Sequence, residues 1–179
     1  MSALIGVKKI QVRGAGILSL IDAMSLFRKQ AQDMLDSHGL GSVVEDQWYP
    51  LQQVLDTFVS IEARIGPNTL KAIGRNIPGR VLLPPHITTL EQALGTLDTA
   101  YRMNHRSEAS LGSYSYSSLG ARSGQVISAS PYPCSFDEGL LEGMSERFRP
   151  KDSLWLRIEH DERGCRKSGA ASCRYRVTW

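Results

Sequence analysis

The sequence predicts an α+β fold: an N-terminal helical layer packed on a C-terminal antiparallel sheet built of two hairpins with an intervening helix. Three observations lead there. Apolar residues recur at helical spacing up to about position 105. Beyond position 110 the apolar spacing switches to the period of two expected of half-buried strands. Finally, glycine-containing connections split the alternating stretches into two pairs, and helices followed by strands is an α+β order.

Composition narrows the class. A chain of 179 residues is expected to form one domain over 1–179, long enough to bury roughly two-thirds of its unfolded surface without staples. Three cysteines and no secretory pattern at the start argue against a disulfide framework and for a reducing, cytoplasmic setting. The longest apolar runs are too short to span a membrane. A net charge of +3 gives no reason to expect direct nucleic-acid binding. The basic excess of the last third reads as a solvated sheet face with protected edges.

Residues 7–12 suggest a short strand or lead-in, and Gly14 and Gly16 are expected to interrupt the chain before the first helix. From Ile17 through Leu20, Ile21, Met24, Phe27, Ala31 and Leu35 the spacing predicts one amphipathic helix ending near His38-Gly39. Trp48-Tyr49-Pro50 reads as the opening of a second helix with Leu51, Leu55 and Phe58 on its spine, stopped by Gly66-Pro67. A shorter helix through Leu70 and Ile73 follows, with Pro78-Gly79 marking irregular chain. Thr88 and Glu91 form a capping-box pattern ahead of a stripe at Leu90, Leu94, Leu97 and Tyr101, and His105 falls at that helix's end.

The first hairpin is expected from Leu111 to Ser118 and from Gln125 to Ser130, the second from the alternation at 154–160 and 173–179. Between them Ser135 and Glu138 suggest a capping box, which sets Cys134 at a helix N-terminus where a thiolate is favoured. Phe136, Leu140, Met144 and Phe148 make an apolar ridge, and Gly139 and Gly143 allow another backbone to come close. The second hairpin gathers Glu162, Cys165 and Cys173 at one end. With Cys134 packed over that end, three thiolates and a fourth donor, the Glu162 carboxylate or the His160 imidazole, suit a tetrahedral zinc.

The Pro-Tyr-Pro-Cys turn at 131–134, the amphipathic helix after it, and the strand pair with Glu162, Cys165 and Cys173 resemble the vinyl-reductase-like small-molecule-binding domain. That domain belongs with the heme nitric-oxide-binding (H-NOX) and TRAPP-component folds and forms the sensory part of phenol-responsive bacterial activators. The resemblance implies a structural zinc on Cys134, Glu162, Cys165 and Cys173 beside a ligand pocket. In H-NOX proteins a histidine in the part of the chain matching His105 is the proximal heme ligand, so His105 is the residue by which heme would bind. The Tyr-x-Ser-x-Arg signature for the heme propionates is missing, since Tyr114-Ser115-Tyr116-Ser117 is followed by Ser118.

No catalytic constellation stands out: there is no phosphate-cradling glycine loop and no nucleophile elbow. The sequence points to a bacterial binding module, in which Trp48, Phe58, Tyr101, His105, Tyr114 and Tyr116 line a pocket for a small hydrophobic or aromatic molecule. A heme protein using His105 is the alternative. A TRAPP-like module that dimerises through the Gly139/Gly143 face is the third reading, and that face with an edge strand predicts a homodimer. With no kinase, ATPase or DNA-binding segment recognisable, a sensor of this kind requires a separate signalling partner.

Overall fold

The structure is a computed structural model; it describes residues 10–108 and 110–179, with the side chain of Glu162 outside the described residues. Strand β1 (Ile10–Arg13) leads straight into α1 (Gly14–Ala23), and a 3-10 turn (Ser25–Phe27) separates it from α2 (Arg28–Ser37). Strand β2 (Trp48–Pro50) precedes α3 (Leu51–Arg64) and α4 (Pro67–Arg80); the short helices α5 (Leu90–Gly95) and α6 (Leu97–Met103) then lead to β3 (His105–Ser107). Strands β4 (Tyr114–Gly120) and β5 (Ser123–Ser128), helix α7 (Cys134–Arg147), and strands β6 (Arg157–His160) and β7 (Cys173–Thr178) complete the order.

The C-terminal sheet is antiparallel throughout, in the order β4-β5-β7-β6. Both expected hairpins are present, and the pairing of β5 with β7 joins them. Its inner face carries Val126 opposite Tyr175 and Ser128 opposite Cys173, while Arg174 and Arg176 point to solvent. Period-two alternation with one buried face fixes that register, because a slip of one residue would bury the arginines. Helix α7 crosses the inner face with α4 packed beside it.

The tight packing of α4 on α7 explains the two glycines of α7. A Cβ on Gly143 would lie 2.2 Å from the carbonyl oxygen of Arg75, and one on Gly74 would lie 2.1 Å from that of Phe136. The face expected to serve a second copy of the chain is therefore consumed inside this one. Lys71 bridges Glu138 and Glu142 at 2.7 and 2.9 Å along the same seam.

Several sequence expectations change for identifiable reasons. Gly14 does not break the chain; it starts α1, and it is glycine because a Cβ would meet the Val44 carbonyl oxygen at 2.0 Å. The single helix expected from Ile17 splits at the 3-10 turn, where Leu26 and Phe27 are 91% and 63% exposed, so Phe27 never belonged to the apolar stripe. Trp48-Tyr49-Pro50 is a strand: Tyr49 pairs across Val12, and Pro50 pairs across Gln11 while serving as the N-cap residue of α3. Helix α4 runs through Pro78 and ends two residues later, giving up the one ladder bond that an N–H at position 78 would make to the Gly74 carbonyl. The capping box lies one residue on, where Thr89 accepts from the Gln92 amide and the Gln92 side chain accepts from Thr89. Ser135 caps nothing, because α7 starts at Cys134 behind Pro133.

A second sheet, β2-β1-β3, was not foreseen. Its central strand sets Val12 opposite both Tyr49 and His105, so His105 opens a strand and does not close a helix. Residues 7–9 of the expected first strand lie outside the described residues.

Candidate functional site

Two features adjoin each other inside the molecule, an apolar cavity and a thiol cluster, and α7 contributes to both. The cavity measures about 60 Å³ and lies between the helical layer and the sheet. Helix α3 gives it Val54 and Phe58, α6 gives Leu97 and Tyr101, and α7 gives Phe136, Leu140 and Met144. Ile17 of α1 and Ile77 of α4 also line it, as do His105, Tyr114 and Tyr132. The ridge read from the sequence at Phe136, Leu140 and Met144 is thus a cavity wall.

The polar atoms of that wall are already engaged. Tyr101 donates to the Leu111 carbonyl at 2.6 Å and Tyr114 donates to Asp137 at 2.6 Å. The His105 Nδ1 lies 2.8 Å from the Tyr101 carbonyl, which can only accept, so Nδ1 carries the proton. Nε2 is then the acceptor for the Tyr132 hydroxyl at 2.7 Å. Burial drives the His105 pKa down to about 4 against the opposing pull of the Tyr101 carbonyl, so the ring is neutral at pH 7. Burial likewise raises the phenols of Tyr101, Tyr114 and Tyr132. The cavity therefore presents an uncharged, hydrogen-bond-satisfied surface in which aromatic rings sit among aliphatic side chains.

The thiol cluster sits at the N-terminal end of α7, whose first residue is Cys134. Cys134 Sγ is 3.2 Å from Cys165 Sγ and 3.2 Å from Cys173 Sγ, and the last two are 3.7 Å apart. These are free thiols. His160 joins them, the four candidate ligand atoms lying within 4.8 Å of one another. A tetrahedral zinc with bonds of about 2.3 Å to sulfur sets its sulfurs roughly 3.8 Å apart, so the donor set fits such an ion with small adjustment. The His160 Nε2 is buried with no hydrogen-bond partner, as a waiting ligand atom would be. The backbone amides of Arg166 and Lys167 point at Cys173 and Cys165 at 3.4 and 3.3 Å, as expected around thiolates. Burial raises both Cys134 and Cys173, but at Cys173 the Arg166 donors together with Cys134 and His160 outweigh it and the net shift is downward; at Cys134 the neighbouring thiols add to the rise. Glu162, the other fourth donor expected, has its side chain outside the described residues.

Of the six expected pocket residues, Phe58, Tyr101, His105 and Tyr114 meet in the cavity wall. Trp48 lies in β2 under the Arg106 guanidinium, 4.7 Å from the ring centroid. Tyr116 packs over Gly124 with its hydroxyl toward Glu91. Sequence reasoning missed Tyr132, Asp137 and Arg166. Tyr132 lay inside the motif that was noticed. Asp137 and Arg166 form an ion pair across 29 positions that no local pattern announces.

A helical layer and an antiparallel sheet enclosing an apolar cavity define the class as an α+β domain built around an internal pocket. Among solved structures the likeness is, more particularly, to H-NOX domains. An H-NOX protein from S. oneidensis in the Fe(II) ligation state is 17% identical, over 93% of this chain and 95% of that one, at a TM-score of 0.68. The Fe(II)NO form from the same organism is 17% identical over 92% and 97% of the two chains, at 0.67. An oxygen-binding H-NOX domain related to soluble guanylate cyclases is 16% identical over 92% and 91%, at 0.59. At such identities the likeness is one of fold. No family model matches the sequence and no curated protein matches it. Among the described residues no helix is long and apolar enough to cross a membrane.

The H-NOX fold raises the matter of heme, and the wall answers it. The His105 lone pair that would meet iron is taken by Tyr132. Among the described residues no arginine or lysine lines the cavity to pair with propionates. Its volume is well below the roughly 150 Å³ of an apolar cavity that takes up benzene, and a porphyrin is several times larger than benzene. In this form the pocket does not fit a heme.

Proposed function

We propose that this chain is a sensory domain of the vinyl-reductase-like kind, taking a small apolar or aromatic molecule into its interlayer cavity and holding a zinc ion at the neighbouring thiol cluster. One observation carries the reading: a single helix, α7, walls the cavity with Phe136, Leu140 and Met144 and opens the cluster with Cys134. A ligand is recognised here by apolar fit, since the wall offers no free charge. It expands the cavity by turning flexible side chains such as Met144. Cys134, Cys165 and Cys173 with His160 or Glu162 would hold the zinc, which supplies a cross-link between the second hairpin and the start of α7 and so adds to folding stability. A separate chain would receive the signal.

The test combines elemental analysis with thermal shift. Purified protein is expected to carry near-stoichiometric zinc, and benzene or phenol at saturating concentration to raise Tm, since a ligand at a hundred times its Kd adds about 2.7 kcal/mol. Protein free of zinc whose Tm ignores both probes would sink the proposal.

The likeness to heme-containing H-NOX proteins favours a second reading, in which His105 releases Tyr132 and the cavity opens around a porphyrin. Hemin reconstitution decides between the two: a Soret band lost in His105→Ala would establish the heme reading, and no His105-dependent band is expected.

A further inference from the structure

Asp137 stands between the two features on α7. It is fully buried and accepts hydrogen bonds from Tyr114 at 2.6 Å and Ser128 at 2.7 Å, and it pairs with the Arg166 guanidinium. Tyr114 belongs to the cavity wall. Arg166 in turn sends its Nε–H to Cys173 Sγ at 3.2 Å and its backbone N–H to the same sulfur at 3.4 Å. Ser130 stitches the pair together, donating to Asp137 and accepting from Arg166, each at 3.3 Å. Two residues therefore separate the cavity wall from a cluster sulfur. Each link is a partly or fully buried polar contact, in a setting where disturbing one partner leaves a charge poorly compensated.

We infer that the Asp137–Arg166 ion pair couples the cavity to the thiol cluster. A molecule that fills the cavity and moves Tyr114 redistributes the donors around Asp137. Arg166 then shifts against Cys173 and alters how firmly that sulfur holds a metal. The coupling is reciprocal, so the metal changes the cavity's affinity by the same factor. This inference rests on the proposed function for its metal. Arg166 is a positioning residue: it acts on the cluster through N–H donation and lines no part of the cavity. The sequence gives the arrangement a simple logic, because Asp137 lies one helical turn from Cys134 and Arg166 directly follows Cys165.

The experiment titrates the full chain with cobalt(II) against a competing chelator, reading the thiolate-to-metal charge-transfer absorption. Tyr114→Phe removes one hydroxyl from the cavity wall and none of the cluster's donors. It is expected to change cobalt affinity by about five-fold or more, the lower end of typical coupling, and to cause no further change in an Asp137→Asn background. An affinity within about two-fold of wild type overturns the coupling while leaving the metal site standing. If wild type binds no cobalt, the metal reading fails, and coupling is read instead from urea unfolding of Tyr114→Phe, Cys173→Ser and the double variant, whose stability changes must not add. Additive changes overturn it. Should Asp137→Asn not fold, Arg166→Gln, which breaks the same ion pair from its other side and keeps every thiol, serves as the background.

Discussion

A Cβ placed on Gly139 would lie 1.9 Å from the carbonyl oxygen of Lys71, closer than any two such atoms can stand. Helices α4 and α7 meet backbone to backbone at this point, and everything α7 positions depends on that distance. Gly139→Ala must push the helices apart or bend one of them. Overpacking of a core costs about 1–3 kcal/mol and occasionally more. The expectation is a Tm drop of several degrees, outweighing the helix propensity gained by removing glycine. Thermal melting followed by circular dichroism checks it, and an unchanged or raised Tm would show that α4 yields freely.

His105 makes stability depend on pH in a known direction. The unfolded chain binds a proton on this ring near pH 6.5, whereas the folded protein holds it neutral down to about 4. Between those values the unfolded state carries more protons, so folding stability falls as pH falls through that window and is fully present above it. At about 1.36 kcal/mol per unit the full loss across that window is about 3.4 kcal/mol. Urea titrations at pH 7 and 4.5 should show this component in wild type and lack it in His105→Gln.

The cluster is expected to stabilise the fold through its metal. Cys173→Ser and Cys165→Ser should each lose zinc by elemental analysis and melt several degrees lower, at about 2–4 °C per kcal/mol for a chain of this size. Stripping wild type with a chelator should reproduce the same drop, and adding zinc back should reverse it. Variants that keep both metal and Tm would return these cysteines to ordinary packing.

Met144 offers a way to see the cavity itself. Met144→Ala enlarges the space and should cost about 2–5 kcal/mol, because Met144 is fully buried and forms part of the wall. Benzene should recover part of that loss and should stabilise the variant more than wild type. If benzene has no effect on either protein, the enlarged space has collapsed and the wall is not a ligand site.

The sequence alone determined the order of helices then hairpins, the inward and outward faces of β5 and β7, and the gathering of Cys165 and Cys173 at one hairpin end. Such features are local: a period of two or 3.6 is written into neighbouring residues and survives in any fold that buries one face. It also picked out Phe58, Tyr101, His105 and Tyr114 as candidates, because large aromatics near a helical stripe are where a pocket would be walled. Only the tertiary structure decided that Trp48 and Tyr116 lie elsewhere, that β2 and β3 flank β1, and that Gly139 and Gly143 serve α4 and no second chain. It alone joined Asp137 to Arg166, and it closed Cys134 onto the hairpin end where the sequence had offered His160 and Glu162 as alternative fourth donors. These contacts link residues tens of positions apart, and burial, close backbone approach and the pairing of charges are set by what the fold brings opposite, which no local pattern encodes.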